Sequence, residues 1–322
     1  MNNQQFGLGC GNLFMGTKKA RCESRAIIKE ALENNISFFN TADFYHSGES
    51  ELALGSVITS EKRENIFISD KFGALVEPNG RMYGLDVHPD RVKNYLAYSL
   101  KRMNLDYIDL YQPGRIDQAI PVEETVGGIA ELVQAGYVKK IGLTQVDATT
   151  LRKAHSVHPI SYIEVEYSLF NRSMEEEILP VAKELGIKVI GFGLLAHGLL
   201  GGKWTKRSLE QGVSPQNNYI ELFQKGNIEK NIELVENVKR IADAKNITLP
   251  QLVHAWAVSK SDIMFPVIGV SKVSQLQDSI QANKIHLTPK ELKQIEAAVP
   301  VDKIAGNSFP NMQFRNGKVI KK

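Results

Sequence analysis

Short β-rich runs recur along this chain, and each is followed by a segment with helical periodicity. That alternation restricts the fold to a parallel sheet with crossover helices, because parallel neighbours cannot be joined by a tight turn. Eight runs can be read, near residues 7–8, 37–40, 66–70, 107–111, 140–143, 162–165, 188–191 and 263–267. Helical signals lie between them at 23–34, at 90–103 behind Pro89, at 122–135 with Gly136 as its stop, and at 173–185 with Gly186 as its stop. Such a helix between parallel strands fits the right-handed βαβ unit, and eight units close into a (β/α)8 TIM barrel of the α/β class, which leaves no exposed edge. No linker divides the chain, so residues 1–322 read as a single domain.

One connection departs from the rhythm. About thirty residues separate the seventh run from a helix starting near Asn227, and Gly198, Gly201, Gly202, Gly212 and Pro215 fall among them. The segment leaves the C-terminal end of a strand, where barrel active sites are built, so residues 194–226 are expected to form a lid over the site.

Composition narrows the classes of partner. With 43% hydrophobic and 23% charged residues the chain can bury a large core, and a net charge of +3 gives no reason to expect nucleic acid. The one basic cluster, residues 315–322, reads as a solvated tail. Cys10 and Cys22 have neither a C-x-x-C spacing nor a histidine group suited to zinc, so they read as reduced thiols, with no metal site and a cytoplasmic location expected. Residues 1–9 lack the charged-then-apolar order of a signal peptide. The most apolar stretch, 189–200, is interrupted by His197 and is shorter than the ~20 residues a membrane helix needs.

In such a barrel the chemistry sits where strands end and the following loops begin. Tyr45 follows the second run within Asn40-Thr41-Ala42-Asp43-Phe44-Tyr45, and Lys71 ends the third within Ser69-Asp70-Lys71-Phe72-Gly73. A free phenol ionises near pH ~10, too high for proton exchange at neutrality, but an ammonium at ~4 Å attracts the phenolate by about 4 kcal/mol, roughly three pKa units. Lys71 is thus expected to bring Tyr45 close to neutrality. The other reading, a packed Tyr45 and a solvated Lys71, stays open, although two adjacent strand ends favour the first.

The sequence resembles the aldo-keto reductase family from residues 6–11 to about 282. The resemblance is carried by residues 39–45, Glu49-Ser50-Glu51 with Leu54-Gly55, Lys71-Phe72-Gly73, Ser99-Leu100-Lys101-Arg102 followed by residues 106–111, and Pro121-Val122-Glu123-Glu124-Thr125. Ile141-Gly142-Leu143-Thr144, Glu166-Tyr167-Ser168-Leu169 and Pro266-Val267-Ile268-Gly269 complete it. It implies NADPH-dependent reduction of small aldehydes or ketones, with Tyr45 as proton donor and Lys71 as its electrostatic tuner. Two positions depart from the family's catalytic set: an aspartate is replaced by Asn40 and a histidine by Gly114. Asn40 is expected to bond Lys71 without neutralising it, favouring the phenolate further, and His46 and His197 are candidate substitutes for the histidine.

The resemblance also implies a cofactor cradle. Thr144, Gln145 and Glu164 correspond to the carboxamide site, where the family usually has Asn and Gln at the last two. Phe192, flanked by Gly191, Gly193 and Leu194, corresponds to the aromatic beneath the nicotinamide. Ser271 and Lys272 correspond to the 2′-phosphate site, and Asp278 and Ser279 to the adenine site. Gln275 stands where many relatives have a basic or aromatic residue, so a preference for NADPH over NADH is expected, of moderate size. Residues 191–196 fit G-x-G-x-x-A, but as the seventh repeat of a barrel and not as the start of a Rossmann unit. A rival function remains open: Asn40 and Gly114 also suit a nicotinamide-binding sensor or regulatory subunit with little catalysis.

Overall fold

The computed structural model describes residues 6–58, 60–211, 220–260, 262–308 and 312–321. Parallel strands β1 (Gly7–Gly9), β2 (Phe38–Ala42), β3 (Phe67–Phe72), β4 (Ile108–Pro113), β5 (Val138–Thr144), β6 (Ile160–Glu166), β7 (Lys188–Phe192) and β8 (Met264–Gly269) close a barrel in sequence order. The seam is made by β1 against β8, with Gly9 paired to Gly269. Each strand overlaps one of the eight runs in the sequence, and the architecture is the (β/α)8 TIM barrel.

The two-residue period of a strand sorts the side chains into layers. Phe38, Leu110, Tyr162, Ile190 and Val267 pack inside the barrel as an apolar floor. Two residues further along the same strands come Asn40, Gln112, Glu164, Phe192 and Gly269, so a polar tier begins where the floor ends. The alternate residues Phe39, Ile68, Tyr111, Ile163, Val189 and Ile268 face outward into the larger core beneath the helices. Each of the apolar ones, Phe39, Ile68, Ile163, Val189 and Ile268, contributes about 1.5–3 kcal/mol by leaving water.

Local chemistry sets the helix ends. Thr17 accepts a hydrogen bond from the Ala20 amide and starts the first helix at Lys18, earlier than its apolar pattern indicated. The helix expected over 173–185 is two, Met174–Glu177 and Leu179–Leu185, because Pro180 has no N–H to donate to the carbonyl one turn back. Gly186 ends the second in the left-handed region at φ 68°.

The C-terminal reading needs correction. Residues 315–321 are not a solvated tail: Gln313–Arg315 and Lys318–Lys321 form a hairpin that joins Ala74–Val76 and Met82–Leu85 in a second sheet. Its turn is Asn316-Gly317, both at positive φ as a type I′ turn requires. The Asp117 carboxylate accepts from both turn amides, at 3.0 and 2.6 Å, and Phe314 is fully buried beside it. Lys322 lies outside the described residues.

The long connection after β7 is packed at both ends. Leu194, Ala196, Leu199, Leu200, Ile220, Leu222 and Phe223 are buried, and Trp204 lies against Phe223 with ring centroids 5.1 Å apart. Its residues 212–219, with Gly212 and Pro215, lie outside the described residues.

Candidate active site

At the upper end of the barrel, Lys71 on β3 is paired in register with Ala42 on one side and Gln112 on the other. Its ammonium is buried and donates to Asn40 Oδ1 on β2. It also forms an ion pair with Glu164 on β6, 3.2 Å from Nζ to Oε1. Gln112 Nε2 donates to the other oxygen of Glu164 at 2.5 Å, and Gly142 leaves the room for that amide, since a Cβ there would meet Gln112 Oε1 at 2.5 Å. At 3.2 Å and an effective dielectric of about 20 the Lys71–Glu164 attraction is roughly 5 kcal/mol, comparable with the cost of desolvating the two ions.

Tyr45 reaches the same point from the loop after β2. His46, Ser47 and Gly48 all have positive φ, at 50°, 55° and 92°, which turns the chain sharply into helix Glu49–Gly55 and leaves the Tyr45 ring against Gly11. Non-glycine residues in that region are strained by about 1–3 kcal/mol each, and others occur after β5 (Gln145) and β7 (Ala196, His197), all on loops at the mouth. The Lys71 ammonium lies 5.2 Å from the centroid of the Tyr45 ring.

Electrostatics at this cluster correct one expectation. Burial raises the Tyr45 phenol above its ordinary value; Lys71 opposes that shift but Glu164 adds to it, and the net direction is upward. Tyr45 is therefore held protonated at neutral pH, not brought towards a phenolate. Burial pulls the Lys71 ammonium down, but Glu164, Tyr45 and Asp70 more than offset it, and Lys71 ends above its ordinary value. The expected loss of compensation at Asn40 does not arise, because the carboxylate comes from β6.

Gly114 has a steric cause. A Cβ there would meet Phe44 Cε1 at 2.9 Å and the Phe72 carbonyl at 3.3 Å, so a histidine fits only if Phe44 turns away. Phe44 in turn packs edge-on against Tyr45, ring centroids 5.2 Å apart. Neither proposed substitute is a free imidazole at this point: His46 is bonded to the Gly11 carbonyl at 3.1 Å, and burial holds His197 below the usual histidine value, opposed by a bond to the Ser308 backbone.

Three polar residues that the sequence reading passed over belong to this region. Gln112 is one. Arg115, just beyond β4, folds back to donate to the Gly114 carbonyl at 2.6 Å, and its charge acts on Glu164, Tyr45 and Glu166 while burial lowers its own pKa. Glu166, at the end of β6, accepts from Asn171 at 2.8 Å and is raised by burial, with Ser308, Asn171 and Arg115 opposing.

The remaining candidates fall into two groups. Beside the Lys71 cluster, Thr144 is paired in register with Glu164, and its buried hydroxyl has no partner among the described residues. Gln145 uses its amide oxygen to receive the Glu166 amide at 2.9 Å. Phe192 is partly exposed at the end of β7, Gly193 follows at φ 75°, and Leu194 is buried. Beyond β8, Ser271 and Lys272 are exposed at the start of helix Val273–Gln281. There the Gln275 side chain accepts from the Ser271 amide at 2.8 Å, and Glu23 accepts from the Val273 amide at 3.0 Å. Asp278 accepts from Thr248 and Gln251, and Ser279 donates to the Gln275 carbonyl, so both are engaged within the protein.

An orphaned hydroxyl, a partly exposed aromatic and a buried cation–phenol pair at one barrel mouth suit the carboxamide end of a nicotinamide. The 271–279 group suits its far end less fully, because side chains already occupy two of the amides there.

Comparison with known proteins gives the family. The profile described as "Aldo/keto reductase family" matches residues 5–300. A probable aldo-keto reductase 1 of Glycine max is 35% identical over 314 residues, covering 95% of this chain and 88% of that protein. Among solved structures, a glycerol dehydrogenase of Gluconobacter oxydans superposes with a TM-score of 0.83 at 24% identity, covering 92% of this chain and 91% of that one. An aldo-keto reductase of Bacillus halodurans in its holo form gives 0.77 at 26% identity, covering 92% of each. One from Klebsiella pneumoniae, solved with NADP and acetate, gives 0.71 at 21% identity, covering 92% and 91%. With the barrel, the rim pair and a match over most of its length, the chain belongs to the aldo/keto reductase family, whose members are oxidoreductases.

Proposed function

We propose that this protein reduces small aldehydes or ketones to alcohols with NADPH, Tyr45 giving the proton to the carbonyl oxygen. The observation that carries this reading is the buried Lys71 ammonium 5.2 Å from the Tyr45 ring, with the Thr144 hydroxyl, unpartnered among the described residues, in register with the Glu164 that pairs with Lys71. The NADP-bound relative from Klebsiella pneumoniae and the glycerol dehydrogenase from Gluconobacter oxydans support the cofactor and the alcohol–carbonyl chemistry. When bound, the cofactor supplies a hydride from C4 of its reduced nicotinamide.

The chain's own residues do the rest. Tyr45, protonated at neutral pH, donates to the oxygen as negative charge develops there, and Lys71 stabilises the phenolate left behind. Arg115 supplies a second positive charge to that oxygen, in the role that Gly114 cannot fill. Thr144, Gln145 and Glu164 bond the carboxamide, and Phe192, Gly193 and Leu194 form the wall beneath the ring. Ser271 and Lys272 hold the 2′-phosphate, with Gln275, Asp278 and Ser279 shaping the adenine end. Outer substrate contacts come from the described parts of the connection after β7, residues 194–211 and 220–226.

The test is a fluorescence titration with NADPH and NADH, followed by single-turnover oxidation of the bound NADPH by a panel of aldehydes. Binding followed by oxidation is the expected result. Absence of nicotinamide binding sinks the proposal, and binding without oxidation by any member of the panel replaces it with the sensor reading.

Lys272 gives a separate expectation. Lys272→Ala weakens NADPH by about tenfold and NADH hardly at all, because only NADPH carries a 2′-phosphate for the ammonium to meet. Paired dissociation constants measure this, and equal weakening of both cofactors removes Lys272 from the phosphate site.

A further inference from the structure

Lys71 is enclosed by side chains from several directions, and only some of them can balance its charge. The Asn40 amide oxygen accepts from Nζ but is neutral. Glu164 lies on β6, 93 residues away in sequence, and is the one carboxylate in ion-pair contact with Lys71 among the described residues. Its side chain is almost fully buried and is steadied by the Gln112 amide at 2.5 Å, so it is held on the ammonium and not shared with solvent.

We infer that Glu164 is a positioning residue for Tyr45: its carboxylate fixes and balances the Lys71 ammonium, and so sets how strongly Lys71 acts on the phenol. Asn40 and Glu164 together hold one amide and one carboxylate around Nζ. An exchange between the two strands, Asp at 40 and Gln at 164, conserves both groups and the net charge. The site depends on there being one carboxylate on Lys71 more than on which strand brings it. This inference deepens the proposed function, since it assigns Glu164 a task besides the carboxamide contact.

The charged and titratable groups around this pair decide what a test reads. From the loop after β2 comes Tyr45, from β3 Asp70, from just beyond β1 the buried thiol of Cys10, and from beyond β4 Arg115. All of these groups stay in place when 164 changes from Glu to Gln, and of them Tyr45 and Arg115 feel the loss of the Glu164 charge directly. The variant removes one negative charge and keeps the shape of the side chain. Glu164 raises the Tyr45 phenol, so its loss makes Tyr45 ionise at lower pH.

The experiment is a near-ultraviolet phenolate titration of the full chain, with the matching Tyr45→Phe protein subtracted so that only Tyr45 is read. Glu164→Gln is expected to lower the midpoint by about one pH unit, a tenfold rise in phenolate at a given pH. Asn40→Asp combined with Glu164→Gln is expected to return it to the starting value. Glu164→Asp, which keeps the charge on a shorter stem, guards against a variant that misfolds and is expected to stay near the parent. An unmoved midpoint in Glu164→Gln, or a double variant that behaves like Glu164→Gln alone, overturns the inference. The titration uses neither substrate nor cofactor, so its outcome is independent of the aldehyde panel. With an active substrate, the alkaline limb of the reduction rate should shift in the same order across the variants.

Discussion

Replacing Tyr45 with phenylalanine lowers carbonyl reduction by about 10²–10⁴-fold and leaves nicotinamide binding nearly unchanged. The phenyl ring keeps the contact with Gly11 and the edge-on packing against Phe44, so the loop after β2 holds its shape. In the proposed mechanism, what is lost is the proton for the carbonyl oxygen. The pH dependence follows from the same group. The phenol is raised, so reduction holds across neutral pH and falls as pH climbs through the Tyr45 value, whereas oxidation of the alcohol, which needs the phenolate, rises over that range. Single-turnover rates in both directions measure this, and unchanged reduction in Tyr45→Phe removes the phenol from the mechanism.

Lys71→Met acts on rate and stability together. Without the ammonium, the Tyr45 phenolate has lost its main stabilising charge, and reduction falls by about 10²–10³-fold. Glu164 is also left buried without its partner cation, which costs about 3–5 kcal/mol of folding stability. A second change separates the two effects. Lys71→Met with Glu164→Gln removes the orphaned charge, so stability returns towards that of the parent while activity does not. Denaturant unfolding and turnover of the single and double variants read the two arms. A double variant that remains as unstable as the single one means that the ion pair was not the source of the loss.

The barrel was legible in the sequence because a short β-rich run followed by a segment with helical periodicity recurs eight times, and eight such units close a parallel barrel. Strand ends were less legible. Ending β4 at 111 instead of Pro113 left Gln112 outside the strand, although it lies two residues beyond the inward-facing Leu110 and in register with Lys71. Arg115 was hidden for a different reason: a loop residue's direction is set by what it bonds, here the carbonyl of Gly114, and no periodicity encodes that. Tyr45 and Lys71 could be paired because their strands are neighbours. Glu164 reaches Lys71 across the barrel from a strand that is not its neighbour, so the family's carboxamide position was visible and its charge-balancing contact was not. At Asn316-Gly317 the hairpin signal stood in the sequence, flanked by Phe314 and Val319, but the density of basic residues drew the reading towards solvent.

That hairpin ties residues made late to a span made early. The Leu85 amide donates to the Gly317 carbonyl at 3.0 Å, and Lys318 pairs with Gly84. On a growing chain, the backbone of 82–85 leaves the ribosome well before its partner strand is synthesised, so it waits with an open edge of the kind that invites pairing between nascent chains. Assembly of the segment that carries the chain away from Lys71 is therefore a late step of biosynthesis, completed only when the strand at 318–321 docks.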